Sequence, residues 1–149
     1  MAIKVGEPAP DFTLPDQHGH PTSLSALNGP VLIVFFPAAF TPVCSSELQA
    51  LRDASLPGAT VLGISCDSPY ALRAFAEAEA LPFALLSDFW PHGEVAEAYG
   101  AFLRERGIAG RLSVLIDGEG IVRQAWHSPP SQPRDVADYQ GAVAGLSRG

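Results

Sequence analysis

Several residue types and segment types are scarce in this sequence of 149 residues, and each shortage excludes a class of protein. Two cysteines, Cys44 and Cys66, are too few for a disulfide-rich scaffold or a four-cysteine zinc site. Lys4 is the only lysine, and nine Lys and Arg against sixteen Asp and Glu give a net charge of −7. Neither nucleic acid nor an anionic membrane is therefore an expected partner. The longest unbroken apolar run, residues 31–36, is far shorter than the roughly 20 residues of a membrane-spanning helix.

The N-terminal residues also lack the apolar core of a signal peptide, so we expect a soluble cytoplasmic protein with reduced thiols. Apolar residues form 47% of the chain and charged residues 17%, which is the balance of a globular protein. A chain of this length buries roughly 70% of the surface that its unfolded form exposes. We therefore expect residues 1–149 to form a single domain that folds without a disulfide or a metal.

The spacing of apolar and turn residues predicts alternating strands and helices. Residues 31–36 and 60–65 are apolar on both faces, which is typical of central strands that are covered on both sides. The other predicted elements are short strands at 11–14 and 21–24 around Gly19, helices at 44–54, 69–81 and 94–103, strands at 83–86, 112–116 and 121–126, and a helix after 133. This order predicts an α/β protein with a thioredoxin-like fold, in which helices flank a central mixed β-sheet, and with an N-terminal β-hairpin extension.

Residues 37–44, PAAFTPVC, connect a buried strand to a helix. Thr41 suits the N-cap and Pro42 the first helical position, which places Cys44 at the third. Backbone N–H groups there precede the first helical hydrogen bonds, and the helix dipole favours an anion. Cys44 is therefore a candidate thiolate nucleophile. The alternative reading of these residues is a small, buried, unreactive cysteine.

The motif P-x-x-x-T-x-x-C, formed by Pro37, Thr41 and Cys44, resembles the active-site motif of the peroxiredoxins. Other stretches similar to the family are GEPAPDFTL at 6–14, GISCDSP at 63–69, SDFWPHG at 87–93 and GRLSVLIDGEGIVR at 110–123. The resemblance covers nearly the whole chain. FFPAAFTPVC and SDFWPHG make it similar to the one-cysteine peroxiredoxins of the alkyl hydroperoxide reductase E type.

The resemblance implies a thiol-dependent peroxidase in which Cys44 attacks the peroxide and becomes a sulfenic acid. It implies that the Thr41 hydroxyl binds the peroxide and that Pro37 shields the thiolate from water. Arg111 and the backbone N–H groups of Val43 and Cys44 would stabilise the charge that develops on the departing oxygen. This chemistry needs neither a metal nor a cofactor.

Arg111 competes for this role with Arg104 and Arg106. In the expected fold, the strand that follows Arg111 runs antiparallel to residues 31–36, so Arg111 begins beside the end of the strand that leads to Cys44. The resemblance makes Glu47 the partner that orients Arg111. A surface arginine and a solvated helical glutamate are the alternatives.

Cys66 could resolve the sulfenic acid by forming a disulfide with Cys44. A disulfide needs Cα atoms within about 7 Å, whereas both cysteines are predicted to begin rigid helices. Gln49 occupies the position, five residues after Cys44, that carries a resolving cysteine in some peroxiredoxins. We therefore expect a one-cysteine scheme, with peroxide as substrate and an external low-molecular-weight thiol or a thioredoxin- or glutaredoxin-like protein as reductant.

The resemblance also implies a homodimer, for which Phe40, Phe89 and Trp90 are candidate contacts unless they pack in the core. Other functions fit less well. A thioredoxin-type disulfide reductase needs C-x-x-C, whereas residues 41–44 are TPVC. A cysteine hydrolase needs a histidine beside Cys44, and the pattern places none there. A thioredoxin-fold redox sensor or chaperone-like binding protein with little peroxidase turnover is the alternative function.

Overall fold

The computed structural model describes residues 3–54, 56–129 and 131–148. In chain order the strands and helices are β1 (Thr13–Pro15), β2 (Pro21–Ser23), β3 (Val31–Phe35), α1 (Pro42–Asp53), β4 (Thr60–Ser65), α2 (Pro69–Glu79), β5 (Ala84–Ser87), α3 (Glu94–Ala98), β6 (Phe102–Leu103), β7 (Ile108–Ala109), β8 (Arg111–Ile116), β9 (Val122–Ser128) and α4 (Val136–Arg148). A short 3₁₀ turn, Leu24–Ala26, precedes β3.

A five-stranded mixed sheet with the order β5-β4-β3-β8-β9 forms the centre of the fold. β4 runs parallel to both β3 and β5, whereas β8 runs antiparallel to β3 and β9. All five residues of β3 are buried, as its apolar character on both faces predicts. β1 and β2 form a separate antiparallel hairpin, and Gly19 in its turn adopts a φ of +82° that suits glycine.

Helices and the N-terminal segment cover the two faces of the sheet. On the face that we call the Cys44 face, Leu32, Val34 and Phe36 pack with Cys44 and with buried residues of α1, α2 and α4. On the opposite face, Ile33 and Phe35 pack with α3 and the N-terminal segment. The alternation follows from the two-residue period of a strand, which sends successive side chains to opposite faces.

The predicted helix over residues 94–103 is wrong in its second half. α3 ends at Ala98, and the chain then forms β6, which pairs with β7. Gly100 has a φ of +77°, its N–H donates to the Glu97 carbonyl, and the Ala101 N–H donates to the Ala96 carbonyl. These two bonds form a Schellman motif, which satisfies the last carbonyls of the helix and turns the chain away.

The segments that carry the predicted site residues lie at one edge of the sheet. The parallel strands β3, β4 and β5 all end there. Because Val34 pairs with Ser113 across the antiparallel ladder, Arg111 at the start of β8 reaches the same edge. Here β3 leads through residues 36–41 into α1.

Candidate active site

The start of α1 has the predicted backbone but a different side-chain contact. Thr41 is the N-cap with extended φ and ψ of −88° and 150°, Pro42 follows it, and Cys44 is the third helical residue. Thr41 is thus the N-cap, as predicted, but its hydroxyl donates to the Ala38 carbonyl at 2.8 Å and accepts no hydrogen bond from a helix N–H. Proline at the first position and the extended Thr41 backbone start the helix without that bond.

The backbone of α1 presents N–H groups next to Cys44. The first helical hydrogen bond runs from the Ser45 N–H to the Thr41 carbonyl at 2.9 Å. The N–H groups of Val43 and Cys44 precede this bond, at the positive end of the helix dipole. Cys44 itself is 0% exposed, so its sulfur is shielded from bulk water. Pro37, which follows Phe36 at the end of β3, is buried as well.

Arg111 is the guanidinium in contact with the Cys44 thiol. Its Nη2 donates to Cys44 Sγ at 3.3 Å, and its Nη1 donates to Glu47 Oε1. Both Arg111 and Glu47 are buried, with side chains 3% and 5% exposed. Arg104 instead makes an ion pair with Glu97 on the surface. The antiparallel register therefore brings Arg111, rather than Arg104, to Cys44.

Arg134, just before α4, also joins this cluster, and sequence reasoning missed it. Its Nε and backbone N–H donate to Glu47 Oε2 at 2.8 and 2.6 Å, and its Nη2 donates to Glu47 Oε1 at 2.9 Å. Its Nη1 donates to Ser113 Oγ at 3.0 Å. The Arg134 side chain is only 4% exposed. The single local signal is an arginine placed directly before a helix that packs on the Cys44 face.

The charged side chains around Cys44, which are Glu47, Arg111 and Arg134, have a net positive charge. Glu47 carries one negative charge, while Arg111 and Arg134 carry two positive charges. An anionic sulfur at Cys44 would balance the remaining charge in a region from which water is excluded. Buried charges are tolerated when they are paired and hydrogen-bonded in this way.

Comparison with known proteins identifies the family. A sequence model of the AhpC/TSA family matches residues 5–125. Alkyl hydroperoxide reductase E of Mycobacterium tuberculosis is 42% identical over 152 residues, which cover 97% of this chain and 99% of that protein. Peroxiredoxin Bcp of Escherichia coli is 39% identical over 136 residues, which cover 83% of this chain and 85% of that protein.

The chain belongs to the AhpC/TSA family. Crystal structures of similar proteins agree. Peroxidoxin BcpB of Mycobacterium tuberculosis superposes with a TM-score of 0.82 at 32% identity, over 98% of this chain and 97% of that one. A peroxiredoxin-like protein of Aquifex aeolicus superposes with a TM-score of 0.88 at 25% identity, over 98% and 89%. The predicted thioredoxin-like fold is confirmed, and the protein is a thiol-dependent peroxidase of the peroxiredoxin type.

In this peroxiredoxin, the two cysteines have different surroundings. Cys44 packs with residues of the Cys44 face, whereas Cys66 directly follows β4 and forms a hydrogen bond with the backbone of Ala109, a residue that packs on the opposite face. Burial, the largest cause, and the nearby carboxylates of Asp88 and Asp67 together raise the pKa of the Cys66 thiol to about 12, against the lowering effect of a hydrogen bond with the Ala109 backbone. Both cysteines carry free thiols.

Four large aromatic side chains of the peroxiredoxin are exposed beside the edge where the parallel strands end. They are Phe40, Tyr70, Phe89 and Trp90, with exposures between 50% and 86%. Phe40 touches the Phe75 ring at a centroid distance of 5.1 Å but remains more than half exposed. Core packing therefore does not account for these side chains.

The described ranges hold no cluster of three or more His, Cys, Asp or Glu side chains that could bind a metal ion. Within the same ranges, each helix is too short or too polar to cross a lipid bilayer.

Proposed function

We propose that Cys44 is the peroxidatic nucleophile of this thiol-dependent peroxidase. The observation that carries the proposal is the 3.3 Å contact between Arg111 Nη2 and Cys44 Sγ at the first turn of α1. A guanidinium and a helix N-terminus that face one sulfur favour its thiolate, which is the nucleophilic form. The buried charge balance with Glu47 and Arg134 supports the same state.

In the proposed reaction, the Cys44 sulfur attacks the hydroperoxide oxygen that bears hydrogen. A sulfur–oxygen bond forms, the oxygen–oxygen bond breaks, and its electron pair leaves on the second oxygen as alkoxide or hydroxide. Protonation of that oxygen gives an alcohol or water, and Cys44 becomes a sulfenic acid. Arg111 and the N–H groups of Val43 and Cys44 stabilise the developing negative charge.

Thr41 and Pro37 have different roles in this proposal. Because the Thr41 hydroxyl donates its proton to the Ala38 carbonyl, its oxygen can accept a hydrogen bond from the peroxide O–H. Pro37 excludes water from the thiolate. Glu47 holds Arg111 in place, and a hydrogen-bonded carboxylate is suited to fixing a guanidinium.

We propose recycling by an external reductant, because Cys66 is buried and contacts the backbone of Ala109, which packs on the face of the sheet opposite Cys44. Two molecules of a low-molecular-weight thiol, or one thioredoxin- or glutaredoxin-like dithiol, would convert the sulfenic acid back to the thiol and release water. A thiol reductant is abundant in the cytoplasm, which is the compartment that we assign to the protein.

The proposed substrates are hydrogen peroxide and organic hydroperoxides. The name of the mycobacterial relative, alkyl hydroperoxide reductase E, supports the second class.

We also propose a homodimer, which three exposed aromatic side chains support: Phe40, Phe89 and Trp90. Exposed aromatic residues of this kind are typical of protein–protein interfaces. Light scattering on the wild type and on Trp90→Ser tests it: a dimer that Trp90→Ser weakens is expected, and a monomeric wild type would contradict it.

Two cysteine variants test the catalytic proposal. Cys44→Ser should abolish peroxide reduction, whereas the matched control Cys66→Ser should retain most of it. After one equivalent of peroxide, intact-mass spectrometry of the wild type should show one added oxygen on Cys44, which a sulfenic-acid reagent traps. A loss of two hydrogens, from a Cys44–Cys66 disulfide, would overturn the one-cysteine scheme.

A further inference from the structure

One peptide group in the loop before α1 is held from both sides. The peptide between Ala38 and Ala39 accepts the Thr41 hydroxyl on its carbonyl oxygen at 2.8 Å. Its N–H, contributed by Ala39, donates to Asp67 Oδ2 at 2.9 Å. Because a peptide group is planar and rigid, fixing the N–H also fixes the direction of the carbonyl. The Asp67 carboxylate thus determines where the Thr41 hydroxyl finds its acceptor.

The loop needs such support, because it contains an unfavourable backbone conformation. Phe40, the residue after this peptide, has a φ of +67°. A bulky residue in the left-handed region costs about 1–2 kcal/mol, so the conformation persists only when its surroundings impose it. The half-exposed Phe40 side chain contacts the Phe75 ring but fills no enclosed space.

Asp67 is itself fixed by the ends of two strands. Ser65 Oγ, at the end of β4, donates to the same Asp67 Oδ2 at 2.7 Å, and the Asp67 N–H donates to Ser65 Oγ at 3.3 Å. Ser87 Oγ, at the end of β5, donates to the Asp67 carbonyl at 2.6 Å. Ser65 and Ser87 are almost completely buried. The carboxylate that supports the loop is therefore part of the rigid sheet edge.

We propose that Asp67 is a positioning residue for peroxide reduction. Through the peptide of Ala38 and Ala39, its carboxylate orients the Thr41 hydroxyl toward the peroxide above Cys44. The inference rests on the proposed function, because the geometry that it protects is that of Thr41 and Cys44. Asp67 touches neither the substrate nor the sulfur. Its contribution is to keep the hydroxyl in reacting position between turnovers.

Asp67→Ala and Asp67→Asn separate the hydrogen bond from the charge. Both remove one negative charge, but the amide oxygen of asparagine can still accept from the Ala39 N–H and from Ser65. Small displacements of a positioned group cost up to about a hundredfold in rate, so Asp67→Ala should slow Cys44 oxidation by about tenfold to a hundredfold. Asp67→Asn should stay within about threefold of the wild type. Asp53→Ala, at an exposed acid of α1, is the control for charge.

The assay compares two reactions of the same sulfur. Stopped-flow mixing gives the second-order rate constant with hydrogen peroxide, and iodoacetamide labelling gives the rate with a reagent that needs no Thr41 hydroxyl. We expect Asp67→Ala to lower the peroxide rate without lowering the iodoacetamide rate, and to raise hydrogen exchange at the Ala39 amide. A purely structural role would change the melting curve and leave the ratio of the two rates unaltered.

Several results would overturn the inference. One is a peroxide rate of Asp67→Ala within about threefold of the wild type, and another is a peroxide rate of Asp67→Asn as low as that of Asp67→Ala. The third is an equal fall of the peroxide rate and the iodoacetamide rate in Asp67→Ala. If Asp67→Ala does not fold, Ser65→Ala removes the second bond to the same carboxylate oxygen and should give the same pattern at smaller amplitude. A wild type that does not react with peroxide would instead refute the proposed function, and the positioning role with it.

Discussion

Arg111→Ala removes the guanidinium that lies 3.3 Å from Cys44 Sγ. Two unit charges at that distance attract each other by about 5 kcal/mol at an effective dielectric constant of about 20. Arg134 keeps Glu47 paired in the variant, so the fold should survive and part of the positive charge remains in the cluster. Removal of one donor to a developing oxyanion costs about 2.7–4 kcal/mol, and we expect peroxide oxidation of Cys44 to slow by about 10²–10³-fold.

Stopped-flow oxidation of the reduced protein measures this effect, and a urea melt establishes that the variant is folded. Arg104→Ala is the matched control, because it removes the same charge from an exposed ion pair and should leave the rate unchanged. Arg111→Lys should be intermediate, because an ammonium keeps the charge but cannot contact Cys44 and Glu47 with one planar fork. A folded Arg111→Ala that reacts as fast as the wild type would refute the assignment of Arg111.

Three further predictions concern the rest of the site. Thr41→Val removes a neutral hydrogen bond to Ala38 worth about 0.5–1.5 kcal/mol, so the free energy of unfolding, measured by a denaturant melt, should change little. The rate of reaction with peroxide should nevertheless fall more than about tenfold. Thr41→Ser keeps the hydroxyl and should retain both the stability and the peroxide rate of the wild type. Arg134→Ala leaves part of the buried Glu47 carboxylate without its ion-pair partner and should lower the free energy of unfolding by about 3 kcal/mol, measured by urea denaturation. Because burial raises the pKa of Cys66 to about 12, iodoacetamide at pH 8 should modify Cys66 only after denaturation, and labelling of native Cys44→Ser protein would contradict this.

Local sequence determined where most elements begin and end. A proline directly after Thr41 and another directly after Ser68 mark the starts of α1 and α2, and the Ser68 hydroxyl accepts from the Ala71 N–H as a helix cap. The continuous apolar character of residues 31–36 marks the central strand. These features depend on neighbours within a few residues. The end of α3 was missed because the apolar spacing through residues 94–103 fits a helix, whereas Gly100 terminates it.

The sequence by itself determined the position of Cys44 in the first turn of a helix, and the element order brought Arg111 to the same edge of the sheet. Only the tertiary structure decided which groups surround that position. Arg134 is 87 residues from Glu47, Asp67 is 28 residues from Ala39, and the Thr41 hydroxyl bonds Ala38 instead of capping its helix. Such contacts join side chains across elements whose relative placement follows from core packing. The face on which Cys44 lies is decided by where α1 packs, because the crossover from β3 to the parallel strand β4 carries the helix to that side of the sheet.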